Sequence, residues 1–393
     1  MKKRRWKKAI LYIILFLVGV LMAFFLVAPG QVEESNNKVL HHAPYMVSAK
    51  AQALHKQLFV ADLHADSLLW DRDLRQRGFR GQVDIPRLIE GNVALQAFTV
   101  VTKTPRKLNI EKNDDSTDNI LLLAICERWP MATWRSLTAR ATYQAEKLNY
   151  AAEHSEGKFS LIKSTSDLEA YLKKRAQNPA ITAGFLGIEG AHALDGRLEN
   201  LTTLYQAGFR MMAPTHFFDN EIGGSAHGLT HSGLTPLGKQ LIPMMEALHM
   251  IVDVAHASPQ TITDVLAIAT KPILVSHTGV KGTCNNNRNL SDDQVKAIAQ
   301  KGGIIGIGYW DTAVCGQDPQ AIAKAIHYTA NLAGVDHVAL GSDFDGAVTV
   351  PFDTSGVAQV TEALLAEGFT DAEISKIMGG NVLNLLKQLL PPQ

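Results

Sequence analysis

Charge of one sign is what this 393-residue chain most plainly lacks: 38 Lys and Arg balance 38 Asp and Glu, for a formal net charge of zero. No global excess points to nucleic acid as a partner, and the composition excludes a disordered tail. Cysteine is scarce too. Cys126, Cys284 and Cys315 are odd in number, widely spaced and free of any CxxC pair. That pattern argues against a disulfide scaffold and against a zinc ribbon, so the three read as packed thiols. Internal repeats and low-complexity blocks are also missing, which leaves an ordinary globular chain with one local anomaly at its start.

The anomaly is a basic cluster, Lys2, Lys3, Arg4, Arg5, Lys7 and Lys8, followed by an uncharged apolar run from Ala9 to Ala28. At about 1.5 Å per residue that run is about 30 Å long as a helix, the thickness of a bilayer core. A cleaved signal peptide has a shorter apolar region, roughly 7–15 residues, before a small-x-small site. The run here is longer and ends in VAPG, so the expectation is an uncleaved transmembrane anchor over 9–28. The basic segment 1–8 is then cytoplasmic, and everything after Pro29 lies on the periplasmic or extracellular side. Residues 29–50 are polar and unpatterned and read as a linker to a domain over 51–393.

Within that domain eight apolar runs alternate with amphipathic stretches: LFVADLH, NVALQAFTVV, TAGFLGIEG, GFRMMAPTH, HMIVDVAH, KPILVSHT, GGIIGIGYW and DHVALGSDFDG. Helix signals sit between them, such as Ser258 before Pro259, and Ser291 with Gly302 as a stop. Nearly continuous apolar strands that alternate with helices imply a parallel sheet covered on both faces. Eight of them predict an α/β fold of the (β/α)8 TIM-type barrel, preceded by the transmembrane helix. A doubly wound open sheet is the alternative, but it gathers its site at one switch point rather than at many strand ends. The stretch Asn113 to Gly157 reads as a helical insertion after the second strand, and the tail as an amphipathic helix pair.

Six of the eight runs end in a group that buries badly alone. The first ends in His64 and Asp66, the third in Glu189, the fourth in His216, the fifth in His256, the sixth in His277 and the eighth in Asp343. Residues i and i+2 of a strand share a face, so His64 and Asp66 can share one mouth. A barrel gathers all its carboxyl ends at one face, so all these residues converge. Imidazole and carboxylate without thiolate suit zinc, with manganese or cobalt as alternatives. Three histidines and two carboxylates exceed what one tetrahedral zinc takes from protein. They suit two ions roughly 3.5–4 Å apart with a bridging carboxylate and hydroxide, and Glu189 is the natural bridge. His41, His42, His154 and His327 read as loop or core histidines. His192, His227 and His231 lie in loops near the mouth, and Asp345 reads as structural.

With these residues assembled, the chain resembles the membrane dipeptidase (renal dipeptidase) family of binuclear zinc peptidases over nearly everything after the linker. The segments that carry the resemblance include DLHAD, VDIPRLIEGNV, GIEGAHAL, APTHF, PILVSHT, RNLSDDQVKAIAQKGGIIGI and VALGSDFDG. It implies that His64 and Asp66 bind one zinc, that His256 and His277 bind the other, and that Glu189 bridges them. It further implies Asp343 as the catalytic general base and acid, His216 as a substrate-binding histidine, and Arg288 as the clamp on the substrate's C-terminal carboxylate. The implied reaction is dipeptide hydrolysis by a metal-bridging hydroxide, with a homodimer as the family prior. The stretch HFFDNEIGGSAHG and the pair Tyr309–Trp310 depart from the animal members of the family near the substrate pocket. Competing readings are a metal-dependent hydrolase of N-acyl amino acids, lactones or phosphoesters, a catalytically inactive membrane-tethered binding protein, and a structural anchor protein.

Overall fold

The structure, a computed structural model, describes residues 2–393; Met1, the first residue of the basic segment, lies outside it. Each of the eight apolar runs contains one strand: β1 (Val60–Ala65), β2 (Val93–Val101), β3 (Thr182–Glu189), β4 (Phe209–Met212), β5 (Ile251–Val252), β6 (Leu274–Thr278), β7 (Ile304–Ile307) and β8 (Val338–Leu340). Every residue in them is buried, which is why the runs are continuously apolar rather than alternating. Hydrogen bonding follows the order β5–β4–β3–β2–β1–β8–β7–β6, all parallel.

The sheet curls on itself. Leu63, Leu95, Phe185, Met211, Ile251, Leu274, Ile304 and Ala339, one from each strand, belong to a single buried cluster. A parallel bridge from Asp253 to Leu274 links the end of β5 to β6, and Val254 N donates to Leu274 O at 2.8 Å. The result is an α/β fold consistent with a TIM-type barrel. Val382, Leu385, Leu386 and Leu389 of the last helix (Asn381–Leu389) join the same cluster, which gives the amphipathic tail its apolar face. Helix Pro259–Ile268 starts at the Ser258 cap, and Asp292–Gln300 starts in a capping box of Ser291 and Gln294. Between β2 and β3 lie helices Asn119–Cys126 and Leu137–Glu153.

The N-terminal helix spans Lys2–Asn36. Among the described residues it is the one helix long and apolar enough to cross a membrane, by length and composition. It does not stop where the apolar run stops. The polar stretch after Pro29 stays helical to Asn36, because Glu33 is buried between the guanidinium groups of Arg72 and Arg80. Lys38–Val39 then pairs in parallel with Thr349–Val350.

One expectation is corrected. Cys284 and Cys315 are not packed thiols but form a disulfide, with their Cα atoms 5.2 Å apart. The loop after β6 and the turn after β7 bring together positions separated by 31 residues. Cys126 is free.

Candidate active site

β1 carries an irregularity where its chemistry begins. Asp62 pairs with Gln96 and Ala65 with Phe98, three steps on one strand against two on the other. Such a bulge re-aims a side chain, here His64. The Asp62 carboxylate fills the space beneath. It accepts from His64 N at 3.1 Å, Gln96 Nε2 at 3.0 Å, Ser342 N at 3.0 Å and Ser342 Oγ at 2.9 Å. One buried acid therefore ties the end of β1 to the end of β8, and fixes His64 relative to Asp343. Gly341 serves the same junction. A Cβ there would lie 2.0 Å from Ser276 O, so only glycine lets the end of β8 approach β6 this closely.

The β5 and β6 ends are tied in the same way. Asp253 Oδ1 accepts from Ala255 N and from Ser276 N, both at 2.9 Å. His256 and Asp343 leave their strands with φ of 60° and 62°, in the left-handed region that non-glycine residues rarely occupy. Held conformations of this kind cluster at functional sites.

All eight residues named from the sequence meet at this rim. Glu189 Oε1 lies 2.9 Å from His256 Nε2, 3.2 Å from His277 Nε2 and 3.7 Å from His64 Nε2. Its other oxygen is 3.1 Å from His216 Nε2. His64 Nε2 is 3.5 Å from Asp66 Oδ1 and 3.9 Å from Asp343 Oδ1. Arg288 is held by one bond from Nη2 to His277 O at 2.6 Å, and its guanidinium lies over the Trp310 ring. A cavity of about 710 Å³ reaches Asp66, Glu189, His256, Arg288 and Asp343.

The orientation of the rings is set from behind. Ser276 Oγ lies 3.1 Å from His64 Nδ1 and 2.9 Å from His277 Nδ1, which turns both Nε2 atoms toward Glu189. Thr99 Oγ1 donates to Asp66 Oδ1 at 2.7 Å. Partners of this kind fix metal-ligating side chains and their tautomers. Asp345 is fully engaged elsewhere, by Ser67 Oγ, the backbone N–H groups of Gln82 and Val83, and Arg72.

Burial pushes the Glu189 carboxyl well above its usual range, and the neighbouring Asp66 and Asp343 push the same way. Burial likewise lifts Asp343 to about 8, against the opposing charge of His64. Burial holds His216, His256 and His277 well below the ordinary histidine value, so these rings are neutral. For His64 burial acts downward, but the charges of Glu189 and Asp66 outweigh it and raise its pKa to about 10. Arg288 is pulled down by burial to about 10 and remains a cation at neutral pH.

These side chains fit divalent cations. His64 Nε2 and Glu189 Oε1 are buried and have no hydrogen-bond partner. The His256 and His277 Nε2 atoms face one another at 2.9 Å beside the same carboxylate oxygen. Three groups of mutually close donor atoms result: His64, Glu189 and His277; Glu189, His216 and His256; and His64, Asp66 and Asp343. Neutral imidazole and carboxylate are the donors zinc and its first-row neighbours take.

Several residues at the site have no counterpart in the strand-end pattern. His227, left unassigned by its loop position, lines the cavity with Nε2 3.1 Å from His256 Nδ1 and Nδ1 2.6 Å from Ile110 O. Phe217 lies between the rings of His216, His227 and His256. His192 is buried beside Phe218, and His231 approaches Ser225 O. Nothing in loop sequence marks which of these reaches the rim. Asp62 and Asp253 carry a signal, since each stands shortly before a rim histidine in VADLH and IVDVAH.

A model of the membrane dipeptidase family (peptidase family M19) matches residues 48–390. The dipeptidase aclJ of Aspergillus oryzae is 28% identical over 348 residues, covering 83% of this chain and 77% of that protein. The probable dipeptidase PvdM from Pseudomonas aeruginosa superposes with a TM-score of 0.71 at 20% identity, covering 87% of this chain and 98% of that one. A metallopeptidase from Rhodobacter sphaeroides, liganded with a phosphinate mimic of the dipeptide L-Ala-D-Ala, superposes with a TM-score of 0.68 at 21% identity. It covers 84% of this chain and 99% of its own. At these identities the two structures establish likeness of fold.

Proposed function

Because this chain belongs to the membrane dipeptidase family and is a metallodipeptidase-type hydrolase, we propose that it cleaves the peptide bond of dipeptides with a free C-terminal carboxylate. One observation carries the reading: Glu189 Oε1 stands within 3.7 Å of the Nε2 atoms of His64, His256 and His277. A single buried oxygen that faces three imidazoles suits a carboxylate bridge between two zinc ions. His64 and Asp66 would hold one, and His256 and His277 the other; manganese or cobalt would suit the same donors.

Bound divalent cations supply Lewis acidity and a water acidified toward neutral pH. The chain's own residues do the rest. Asp343, with its side chain at the cavity wall, takes a proton from the attacking water and returns it to the leaving amine. With Glu189 engaged as the bridge, a neutral His216 turns its one N–H to the oxyanion, a contribution of about 3–4 kcal/mol. Arg288 keeps most of its donor fork free for the substrate carboxylate, which a lysine cannot grip in two places. Such a clamp measures from the chain end and restricts substrates to short peptides.

The same reading takes the sheet as a complete (β/α)8 barrel over residues 51–393, joined through 29–50 to a transmembrane anchor over 9–28 whose last turn, with Phe24 and Ala28, emerges from the bilayer against the barrel. The barrel then works on the periplasmic or extracellular side, and the Cys284–Cys315 disulfide agrees with an oxidising compartment.

The test is a panel assay of the full chain in detergent, with L-Ala-D-Ala, L-Ala-L-Ala, their C-terminal amides, N-acetyl amino acids and a lactone. Cleavage of the free dipeptides, lost on chelation and restored by zinc, is the expected result. Cleavage of the acetyl amino acids or lactone with dipeptides untouched would transfer the site to another amidohydrolase reaction.

A further inference from the structure

We propose that the last turns of the N-terminal helix form one wall of the substrate cavity, and there build an apolar subsite for a bulky residue on the amino-terminal side of the scissile bond. This rests on the dipeptidase reading above, and on Arg288 as the carboxylate clamp.

Phe24, Ala28, Val32 and Asn36 recur at every fourth position, so they lie along one face of the helix. All four line the same cavity that reaches Glu189, Arg288 and Asp343. Facing them are Leu69 and, from helix Asn119–Cys126, Leu122 and Leu123. The cavity is thus polar at the strand ends and apolar at the helix. At about 710 Å³ it lies within the roughly 300–1,000 Å³ range that takes drug-sized ligands. A dipeptide of two small residues leaves the apolar end unfilled, and a large apolar side chain fills it.

The wall is fixed rather than merely near. Glu33 is buried, with Arg72 Nε and Arg80 Nε each 2.5 Å from one of its oxygens. Arg72 also grips Asp345, two residues from Asp343. Arg128 donates to Phe25 O at 2.5 Å, and Ala347 N donates to Asn37 Oδ1 at 2.8 Å. The helix is therefore fastened to the segments that follow β1, β2 and β8.

Position around the sheet assigns the end of the substrate. In the order β6–β7–β8–β1–β2, the strand behind helix Asn119–Cys126 is four places from the strand behind Arg288. A substrate whose carboxylate sits on Arg288 points its other residue across the rim, toward the helix.

The experiment compares kcat/KM for Phe-Ala and Ala-Ala with the full chain in micelles, unaltered and as Ala28→Trp and Val32→Phe. The unaltered protein should prefer Phe-Ala by about tenfold or more, in line with the apolar area a phenyl ring buries. Each variant fills the subsite and should cut the Phe-Ala to Ala-Ala ratio by about tenfold. A ratio unmoved in both variants, or no preference in the unaltered protein, overturns the subsite while leaving dipeptidase activity in place. Failure of the unaltered, zinc-loaded protein to cleave either dipeptide overturns the parent reading, and the subsite with it.

Discussion

His256, four residues beyond β5, and His277, on β6, point their Nε2 atoms at one another across 2.9 Å. Two neutral imidazoles can share one proton there, the N–H of one ring donating to the lone pair of the other. A cation beside Glu189 would take both lone pairs at once, and it would also engage the buried His64 Nε2 and Glu189 Oε1, which have no hydrogen-bond partner.

Asp343→Asn should separate proton transfer from metal binding. Amide and carboxyl have the same shape, so the fold and metal content should persist while kcat drops by about 10²-fold or more. Metal analysis alongside steady-state kinetics checks both halves. Loss of metal together with activity would move Asp343 into the ligand set.

Arg288→Lys keeps the charge and removes the two-pronged grip. The expected result is a fall of roughly 10- to 100-fold in kcat/KM for free dipeptides, mostly through KM. A dipeptide C-terminal amide, already a poor substrate, should lose little. Equal losses on both substrates would take the carboxylate clamp away from Arg288.

Zinc affinity should rise with pH. Without cations the ligand cluster holds protons: burial raises the Glu189 carboxyl, and the neighbouring carboxylates raise His64 to about 10. Those protons must leave as the site loads, so raising the pH from 6 to 8 strengthens binding and lowering it weakens binding. Each proton released is worth about tenfold in affinity per pH unit. Competition titration with a chromophoric chelator at several pH values reads this slope, and a flat profile would contradict it.

Cys284→Ala should cost stability without touching the ligands. The bridge ties the Arg288 loop to the turn after β7, and removing such a cross-link typically costs about 2–4 kcal/mol. Chemical denaturation of zinc-loaded protein should show a lower midpoint with metal content unchanged. An unmoved midpoint would leave the bridge without a structural role.

Much of this was legible in the sequence, for a physical reason. Parallel strands buried on both faces are continuous apolar runs, and each of the eight runs holds one strand. His64, Glu189, His216, His256, His277 and Asp343 were legible because a polar group that ends a buried strand is conspicuous. What depends on distant partners was not. The polar stretch after Pro29 stays helical because Arg72 and Arg80 receive Glu33, and no local pattern announces that. The Cys284–Cys315 pair joins two loops whose meeting is set by the sheet, not by spacing. His227 reaches the rim from a loop, where sequence position says nothing about direction. The bulge that turns His64, and the left-handed backbone at His256 and Asp343, carry no glycine to mark them.

The most direct measurement is an anomalous difference map from a crystal of the zinc-loaded protein, recorded at the zinc edge. Two peaks roughly 3.5–4 Å apart, flanking the Glu189 carboxylate, are predicted: one beside His64 and Asp66, the other beside His256 and His277. A single peak, or peaks remote from Glu189, would contradict the shared carboxylate on which the proposed chemistry depends.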